Sequence, residues 1–186
     1  WRSSFCGSLS YQNNNLRIAS ARSGNVIGGG DWAEDRIVPD SIRSLMSNEP
    51  IKIRNPKSTR PWQHVLDPLS GYLLLAENIY RDKDNFCEAF NFGPNIESNR
   101  TVLELVNEIK KYWPGKSIHI SESENVHEAG LLNLQIDKAF HLLKWKPNWD
   151  FHETVFRTTN WYMKRSKGIS SLKCCLDDLY EFFEIN

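Results

Sequence analysis

The sequence predicts an α/β fold, in which short strands alternate with amphipathic helices along the chain. Two observations support this prediction. Short apolar runs bounded by glycine, proline or asparagine are typical of strands. Between them, apolar residues recur at spacings of three and four, as in helices that cover a sheet. Only about four strands are visible, fewer than the roughly six of a doubly wound sheet, so the chain has the pattern of the later half of such a fold.

The first part of the chain combines a strand with a glycine-rich loop. Residues 1–11 have the pattern of a helix end, and residues 16–22, with few charges, predict a strand covered on both faces. The loop that follows contains Gly28-Gly29-Gly30 and lies at the strand end, where open α/β sheets bind ligands. Residues 40–48 then predict a helix with one apolar face.

The middle of the chain predicts two further strands and a longer helix. Residues 51–54 predict a short strand, and residues 55–63, with two prolines, predict a polar loop. Asp67-Pro68 predicts a helix start, because Asp accepts backbone N–H bonds as an N-cap and Pro fits the first helical position. The apolar stripe predicted for the helix that starts at Asp67-Pro68 is Leu69, Tyr72, Leu73, Ala76, Ile79 and Tyr80. Residues 89–92 predict a strand.

The last third of the chain is mostly helical in pattern. Thr101 and Glu104 match a capping box that precedes an apolar stripe ending at Tyr112. Residues 117–120 predict a strand, and Asp137 is predicted to cap the next helix. Helices are also predicted over residues 151–164 and over the amphipathic stretch 172–183.

Composition excludes several classes of partner. The 186 residues suffice for one domain with a sizeable core. The 23 basic and 23 acidic residues give a net charge of +0, which provides no field for nucleic acid or an anionic membrane. No apolar run approaches the ~20 residues of a membrane helix, and no signal peptide is visible. We therefore expect a cytoplasmic protein.

The cysteines and histidines predict neither a disulfide framework nor a metal site. Cys174 and Cys175 are adjacent, and with Cys6 and Cys87 they form no sensible framework, so reduced thiols are expected. The five histidines have no HExxH or CxxC partner motif, so no zinc or other metal is expected.

Two motifs match catalytic or cofactor patterns only literally. Gly28-x-Gly30-x-x-Ala33 fits a dinucleotide fingerprint, but the acidic residues that follow occupy the place of the pyrophosphate, and Pro39 delays the helix. Tyr112-x-x-x-Lys116 fits the short-chain dehydrogenase pair, but Pro-Gly breaks the helix between its two members. Both functional interpretations are rejected.

A basic cluster leaves its interpretation open. Arg54, Lys57 and Arg60 lie around a proline-containing loop. Arginine forks bind phosphates bidentately, so the cluster fits a diphosphate site, and it fits a solvated basic loop equally well. Asn91 at a strand end and Glu128 in a loop are similarly open between ligand contact and turn or solvent roles.

Taken together, these segments resemble a known family, the extended short-chain dehydrogenases/reductases that act on nucleotide sugars. The resemblance covers about residues 1–163, and residues 28–36 with 59–64 are similar to CDP-glucose 4,6-dehydratases in particular. The segment from 166 onward shows no such resemblance. The motifs that carry it are Arg22-x-x-Asn25-Val-x-Gly28, Arg36-Ile-Val-Pro39, Arg60-Pro-Trp-Gln-His-Val65, Asn91-Phe-Gly93 and Leu143-x-Trp-x-Pro147.

The resemblance implies the C-terminal half of an NAD(P)-binding Rossmann-type enzyme together with its smaller α/β substrate-binding domain. Residues 1–35 are expected to be the remnant of the NAD-binding domain, and residues 36–165 mainly the nucleotide-sugar-binding domain, with some elements returning to the Rossmann sheet. Residues 166–186 are expected to form a helical tail. The family's glycine-rich turn, its acidic ribose-binding residue and its catalytic Thr, carboxylates and Tyr-x-x-x-Lys are expected upstream of Trp1.

The resemblance also implies an activity. In this family NAD oxidises the sugar at C4, water is eliminated across C5 and C6, and the hydride returns to C6. The implied reaction is a lyase reaction that converts CDP-glucose to CDP-4-dehydro-6-deoxy-glucose, a precursor in lipopolysaccharide biosynthesis. The complete enzyme is expected to be a homodimer, and this chain alone to be inactive. The alternatives are part of another nucleotide-sugar epimerase or dehydratase, or a non-catalytic nucleotide-sugar-binding chain.

The family motifs place binding roles on ten residues and catalytic roles on none. By motif position, Asn25 is expected to reach the sugar diphosphate and Arg60 to clamp it, with Asn91 nearby. Arg54 and Glu128 are weaker candidates for base, ribose or sugar contacts. The remaining expectations are Arg36, Ile37 and Val38 along the nucleotide, and Ser23 and Gly24 at the nicotinamide side of NAD.

Overall fold

A computed structural model describes residues 16–81, 86–120 and 133–184 of the chain. Within them, strands and helices alternate in the predicted α/β order. The helices are α1 (Ile37–Met46), α2 (Leu66–Arg81), α3 (Val102–Tyr112), α4 (Asp137–Leu143), α5 (Phe151–Ser166) and α6 (Ser171–Phe182). The strands are β1 (Ser20–Ser23), β2 (Asn25–Ile27), β3 (Ile51–Ile53), β4 (Thr59–His64), β5 (Ala89–Phe92), β6 (Asn99–Thr101) and β7 (Ser117–His119).

The described strands form three small sheets that are mostly parallel. β1 pairs with β5 in parallel, with Ser20 opposite Ala89 and Ser23 opposite Phe92. β4 lies between β2, to which it is parallel, and β6, to which it is antiparallel. β3 pairs in parallel with β7. Because β1 ends where β2 begins, the chain passes from one sheet to the next at Gly24.

Two hydrophobic cores support these sheets. The larger core joins α1, α3, α5 and α6 to β2, β3 and β4, and the smaller core joins α2 and α4 to β5. Buried members of the larger core include Ile42, Leu45, Ile51, Ile53, Trp62, Leu105, Ile109, Val155, Trp161 and Tyr162. The smaller core consists of Leu75, Phe90, Phe92, Ala139, Leu143 and Trp145, with partly buried apolar residues around them.

Several local predictions are confirmed by hydrogen bonds. The capping box of α3 is complete: the Glu104 backbone N–H donates to Thr101 Oγ1 at 3.1 Å, and the Thr101 backbone N–H donates to Glu104 Oε2 at 2.7 Å. The amphipathic stretch near the end of the chain forms helix α6, whose N-cap Ser170 accepts from the Lys173 backbone N–H. Cys174 and Cys175 near the end of the chain are free thiols, of which Cys174 is buried and Cys175 exposed.

Two strand predictions need correction. β1 begins at Ser20 rather than at residue 16, and its first three residues are exposed rather than covered on both faces. The segment 55–63 is not wholly a polar loop, because Thr59–His64 forms β4, whose last five residues are all buried. The predicted helix end over residues 1–11 lies outside the described residues.

The N-cap predictions for two helices are wrong, and the face prediction for one of them is only partly confirmed. α2 begins at Leu66, so Asp67 lies inside its first turn. Asp67 Oδ1 accepts a hydrogen bond at 2.6 Å from the backbone N–H of Asn148, which is 81 residues away in the sequence. Asp137 is likewise the first helical residue of α4, whose N-cap is Ile136. Of the expected α2 stripe, Tyr72 and Ile79 pack against the smaller core, whereas Leu73 is 70% exposed. The buried residues of α2 are Asp67, Pro68, Gly71 and Leu75.

Among the described residues, no helix is long and apolar enough to cross a bilayer. The same residues contain no group of three or more His, Cys, Asp or Glu side chains arranged to hold a metal ion.

Candidate functional site

A cavity of about 860 Å³ lies where β1 passes into β2, beside the glycine loop and β4. This volume is within the range of small-molecule sites, roughly 300–1,000 Å³. Its walls come from the β1–β2 junction, the loop 28–36, the start of α1, the end of β3 and β4. The cavity therefore occupies the strand-end position at which the sequence predicts ligand binding.

Eight of the ten predicted binding residues line this cavity. The structure thus brings together residues from four separate segments of the sequence. They are Ser23, Gly24, Asn25, Arg36, Ile37, Val38, Arg54 and Arg60. Asn91 is not among the lining residues: it lies on β5, where its Nδ2 donates to the Gln135 carbonyl at 3.1 Å. Glu128 lies outside the described residues.

Arg60 is the most buried cation of the cavity wall. It lies on β4 two residues before Trp62, which is paired with Asn25 of β2, so the β-sheet register places Arg60 near Asn25. Arg60 is only 7% exposed and donates through Nη1 to the Thr59 carbonyl at 2.8 Å. The solvated-loop interpretation is therefore wrong for Arg60. Lys57, by contrast, is exposed and does not line the cavity.

Helix α5 fixes the glycine loop. The Tyr162 hydroxyl donates to the Asp31 carbonyl at 2.6 Å and to the Gly28 carbonyl at 3.3 Å. Burial raises the pKa of Tyr162 to about 12, so the phenol stays a neutral donor. A Cβ at Gly29 would lie 2.0 Å from Trp161 Cδ2, so only glycine permits this approach. The glycine at this position thus serves packing against a helix.

The rejection of the two literal motifs agrees with this geometry. No helix starts between Gly28 and Ala33, and α1 begins only at Ile37, so a pyrophosphate would find no helix N-terminus there. α3 ends at Tyr112, whose hydroxyl donates to Glu108 Oε1 at 3.3 Å. Lys116 lies in the segment that follows the helix.

Ion pairs organise the cavity wall between the loop and α1. Asp31 accepts from Arg36 Nη1 through Oδ2 at 3.1 Å and from the Ala33 backbone N–H through Oδ1 at 3.0 Å. Arg43 pairs with Asp40 and also donates to the carbonyls of Trp32 at 2.9 Å and Ala33 at 3.2 Å. The conformation of this loop is therefore held from two sides.

A second ion pair crosses the cavity wall from the loop to the end of β3. Asp35 Oδ1 lies 2.7 Å from Arg54 Nη2, and both residues line the cavity. Asp35 has a φ of 60°, in the left-handed region. Together with Lys52, a further lining residue, the pair adds both signs of charge to this end of the cavity.

The sequence did not single out Asp35, Lys52 or Tyr162 as contributors to the site. Asp35 appeared only as one acidic residue of the loop, and a carboxylate beside a basic cluster is the signal that could have found it. Lys52 alternates with buried Ile51 and Ile53 on β3, which directs it to the other face. Tyr162 acts from a helix 131 residues away from Asp31, a separation that no local pattern reveals.

Comparison with known proteins places these features in context. No family model matches the chain. It is 40% identical over 183 residues to a CDP-glucose 4,6-dehydratase of Salmonella typhimurium, a match that covers 98% of this chain and 51% of the relative. The chain thus spans about half the length of this curated relative.

Solved structures show the same fold. MoeE5 in complex with UDP-glucose and NAD superposes with a TM-score of 0.70 at 19% identity, over 85% of this chain and 50% of that one. The dTDP-glucose 4,6-dehydratase of Bacillus anthracis in complex with NAD gives a TM-score of 0.64 at 17% identity, over 81% and 46%. The resemblance to CDP-glucose 4,6-dehydratases and the fold of NAD-binding extended short-chain dehydrogenases, over about half their length, are therefore confirmed.

Proposed function

We propose that this chain forms the nucleotide-sugar-binding part of an NAD-dependent CDP-glucose 4,6-dehydratase. The observation that carries the proposal is the convergence of eight predicted binding residues in one cavity around the buried Arg60. The sequence identity of 40% with a CDP-glucose 4,6-dehydratase supports the choice of substrate. The complete protein would then act as a hydro-lyase on CDP-glucose.

The order of residues along the cavity suggests how the substrate lies. Asn25, at the β1–β2 junction, contacts the sugar end of the diphosphate, and Arg60 clamps the diphosphate itself with charge-assisted bonds. Arg36 and the adjoining Ile37 and Val38 follow the nucleotide. Arg54 serves the base or ribose. Asn91 and Glu128 remain candidates for contacts beyond this wall.

The residues at the end of β1 fit one edge of NAD. Ser23 ends the parallel strand β1 and Gly24 follows it, and both line the cavity, the position at which open α/β sheets bind dinucleotides. Ser23 and Gly24 would lie at the nicotinamide side of the cofactor, which supplies hydride transfer when bound. The chain's own residues bind and orient the sugar nucleotide beside it.

We expect the 186-residue chain to bind the substrate without converting it. The residues that the structure places around the cavity include no Tyr, His or Cys, and its three carboxylates, those of Asp31, Asp35 and Asp40, each pair with an arginine. For the complete protein we propose a cytoplasmic homodimer that supplies a deoxysugar precursor for lipopolysaccharide.

Titration of CDP-glucose onto the 186-residue chain by calorimetry tests the proposal. We expect saturable binding that Arg60→Ala weakens by about 1.5–3 kcal/mol, the worth of a hydrogen bond to a charged group. Lys57→Ala, which removes an exposed cation outside the cavity, is the matched control and should bind like the original chain. Equal binding by the original chain and Arg60→Ala would contradict the diphosphate role, and no binding at all would contradict the proposed function.

A further inference from the structure

The ion pair between Asp35 and Arg54 is not explained by stability. Its side chains are 72% and 47% exposed, and exposed pairs contribute only about 0–1 kcal/mol. Asp35 also holds a left-handed φ of 60°, which is unfavourable for a residue with a side chain. Both side chains nevertheless line the cavity. A strained, exposed pair at a binding cavity points to a role towards the ligand.

Three carboxylates line the described cavity, and only one of them is suited to a ligand donor. Asp31 uses both oxygens within the loop, on Arg36 and on the Ala33 backbone N–H. Asp40 belongs to α1 and pairs with Arg43, which fastens the loop. Asp35 contributes only Oδ1 to its pair with Arg54, so Oδ2 can accept a second donor.

The position of the pair along the cavity points to the nucleoside end of the ligand. The register of β2 and β4 keeps Asn25 and Arg60 together, whereas Arg54 lies at the end of β3, in a different sheet. A sugar nucleotide has the order sugar, diphosphate, nucleoside. With the sugar at Asn25 and the diphosphate at Arg60, Asp35 and Arg54 meet the base, and the carboxylate avoids the repulsion that a diphosphate would impose.

We propose that Asp35 and Arg54 read the pairing edge of the base and select cytosine over uracil. The inference rests on the proposed function and deepens it. Cytosine offers an N4 amino donor, which a carboxylate accepts, beside ring acceptors that a guanidinium serves. Uracil offers a carbonyl, O4, in place of that amine, so the carboxylate would face an acceptor and both groups would lose their partner.

Cytidine and uridine diphosphates are the probes that test the inference, because they differ only at this edge of the base. Their dissociation constants are measured by calorimetry on the original 186-residue chain, on Asp35→Asn and on Glu34→Gln. Asn, like Asp, is enriched in left-handed backbone, so the loop conformation is retained. Glu34 is an exposed neighbouring acid that does not line the cavity, which makes Glu34→Gln the matched control.

We expect the original chain and Glu34→Gln to prefer cytidine diphosphate by about tenfold or more. Asp35→Asn should reduce that preference about tenfold, because its amide can donate to O4. Equal affinity for both nucleotides, or an Asp35→Asn variant that weakens both equally, would overturn base selection while leaving the nucleotide site in place. Binding of neither nucleotide would instead reject the proposed function and, with it, this inference.

Discussion

The larger and the smaller core of this chain differ in how completely they are covered. The larger core packs four helices against β2, β3 and β4, and its residues Ile42, Leu105 and Val155 are inaccessible to solvent. The smaller core buries Phe92 completely, but its helix α2 presents Leu73 at 70% and Tyr80 at 86% exposure. Both cores are apolar inside, and both also carry exposed apolar side chains on their helices, such as Leu172 of α6 at 69% exposure in the larger core.

The sheet of the smaller core is less completely covered than its strand pairing predicts. It consists of the parallel pair β1–β5, and parallel sheets are ordinarily covered on both faces. Here the first three residues of β1 are exposed. Local stability depends on buried apolar contacts, so we expect the smaller core to open more readily than the larger one. The candidate site lies mostly on the larger core, where a rigid scaffold can hold its side chains.

The two cores are joined by polar contacts around the end of β4. Gln63 Nε2 donates to the Phe92 carbonyl at 3.1 Å. His64 packs edge-to-face on Trp149 at 4.7 Å between ring centroids, and Asp67 accepts from the Asn148 backbone N–H. Ionisation of groups at this junction therefore bears on both cores.

The largest expected effect compares a matched leucine in each core. Leu105→Ala, in the larger core, should lower the free energy of unfolding by about 2–5 kcal/mol, through lost burial and a cavity. Leu75→Ala, in the smaller core, removes the same side chain from a similarly buried position. We expect it to act locally. Amide hydrogen exchange should show lost protection throughout for Leu105→Ala, and only around β1, β5, α2 and α4 for Leu75→Ala.

The same exchange experiment can contradict the comparison. If Leu75→Ala reduced protection equally in β2, β3 and β4, the two cores would form a single cooperative unit. Chemical denaturation of both variants provides the overall free energies against which the local losses are judged.

Sequence pattern predicted the buried face of α3 better than that of α2. Spacing identifies the apolar face of α3, since its residues pack against a closed interior. In α2 the same spacing selected Leu69, Leu73 and Tyr80, whereas the buried face includes Gly71. A Cβ at Gly71 would lie 2.2 Å from Phe92 Cδ1. The close approach of a neighbouring ring therefore decides which face is buried, and periodicity does not contain that information.

Individual binding residues of the site were predicted from the sequence, whereas the strand and the ion pair that bring them together were not. Family motifs identified residues such as Asn25 and Arg60, which the structure brings to one cavity. The polar composition of residues 55–63 concealed strand β4, because a polar side chain such as Gln63 can be buried where its Nε2 donates to the Phe92 carbonyl, a partner 29 residues away. The Asp35–Arg54 pair depends on a left-handed backbone and on the end of another strand, and neither is visible in a local pattern.

The next prediction concerns pH at the junction of the two cores. Burial raises the pKa of Asp67 from 3.8 to about 6, so its ionisation destabilises the fold as pH rises from about 4 to about 6. Burial, with the charge of Arg157, lowers the pKa of His64 from 6.5 to about 3, so stability is lost as pH falls below 6.5. As pH rises from 4 to 6, Asp67 lowers the free energy of unfolding while His64 raises it. We therefore expect this free energy to change little between pH 4 and 6.

Asp67→Asn separates these two contributions. Its amide oxygen can keep the bond from the Asn148 backbone N–H while the charge is removed. Two pKa units correspond to about 3 kcal/mol, so the variant should gain up to about 3 kcal/mol at pH 7 and little at pH 4. Its urea-unfolding profile should then fall steadily below pH 6.5. Asp137→Asn, at an exposed helix start, is the control; an unchanged profile for Asp67→Asn would contradict the buried charge.

The smallest expected effect concerns the packing that ties the site to the larger core. In Gly29→Ala the new Cβ would lie 2.0–2.5 Å from three atoms of the Trp161 ring, so helix α5 or the loop must shift. Overpacking of this kind costs about 1–3 kcal/mol. Because Tyr162 of the same helix holds the Asp31 and Gly28 carbonyls, we also expect weaker binding of CDP-glucose.

A double-mutant cycle with Trp161→Leu shows whether that loss comes from contact or from the backbone. On the Trp161→Leu background, Gly29→Ala should cost less, because the ring it meets is gone. Gly30→Ala provides the contrast, since its nearest Trp161 atom is 3.7 Å away and its φ is +93°. Gly30→Ala loses stability through its backbone conformation, so this loss should be the same on the Trp161→Leu background. If both alanines behaved alike in the cycle, backbone strain rather than the approach of α5 would explain why this loop contains consecutive glycines.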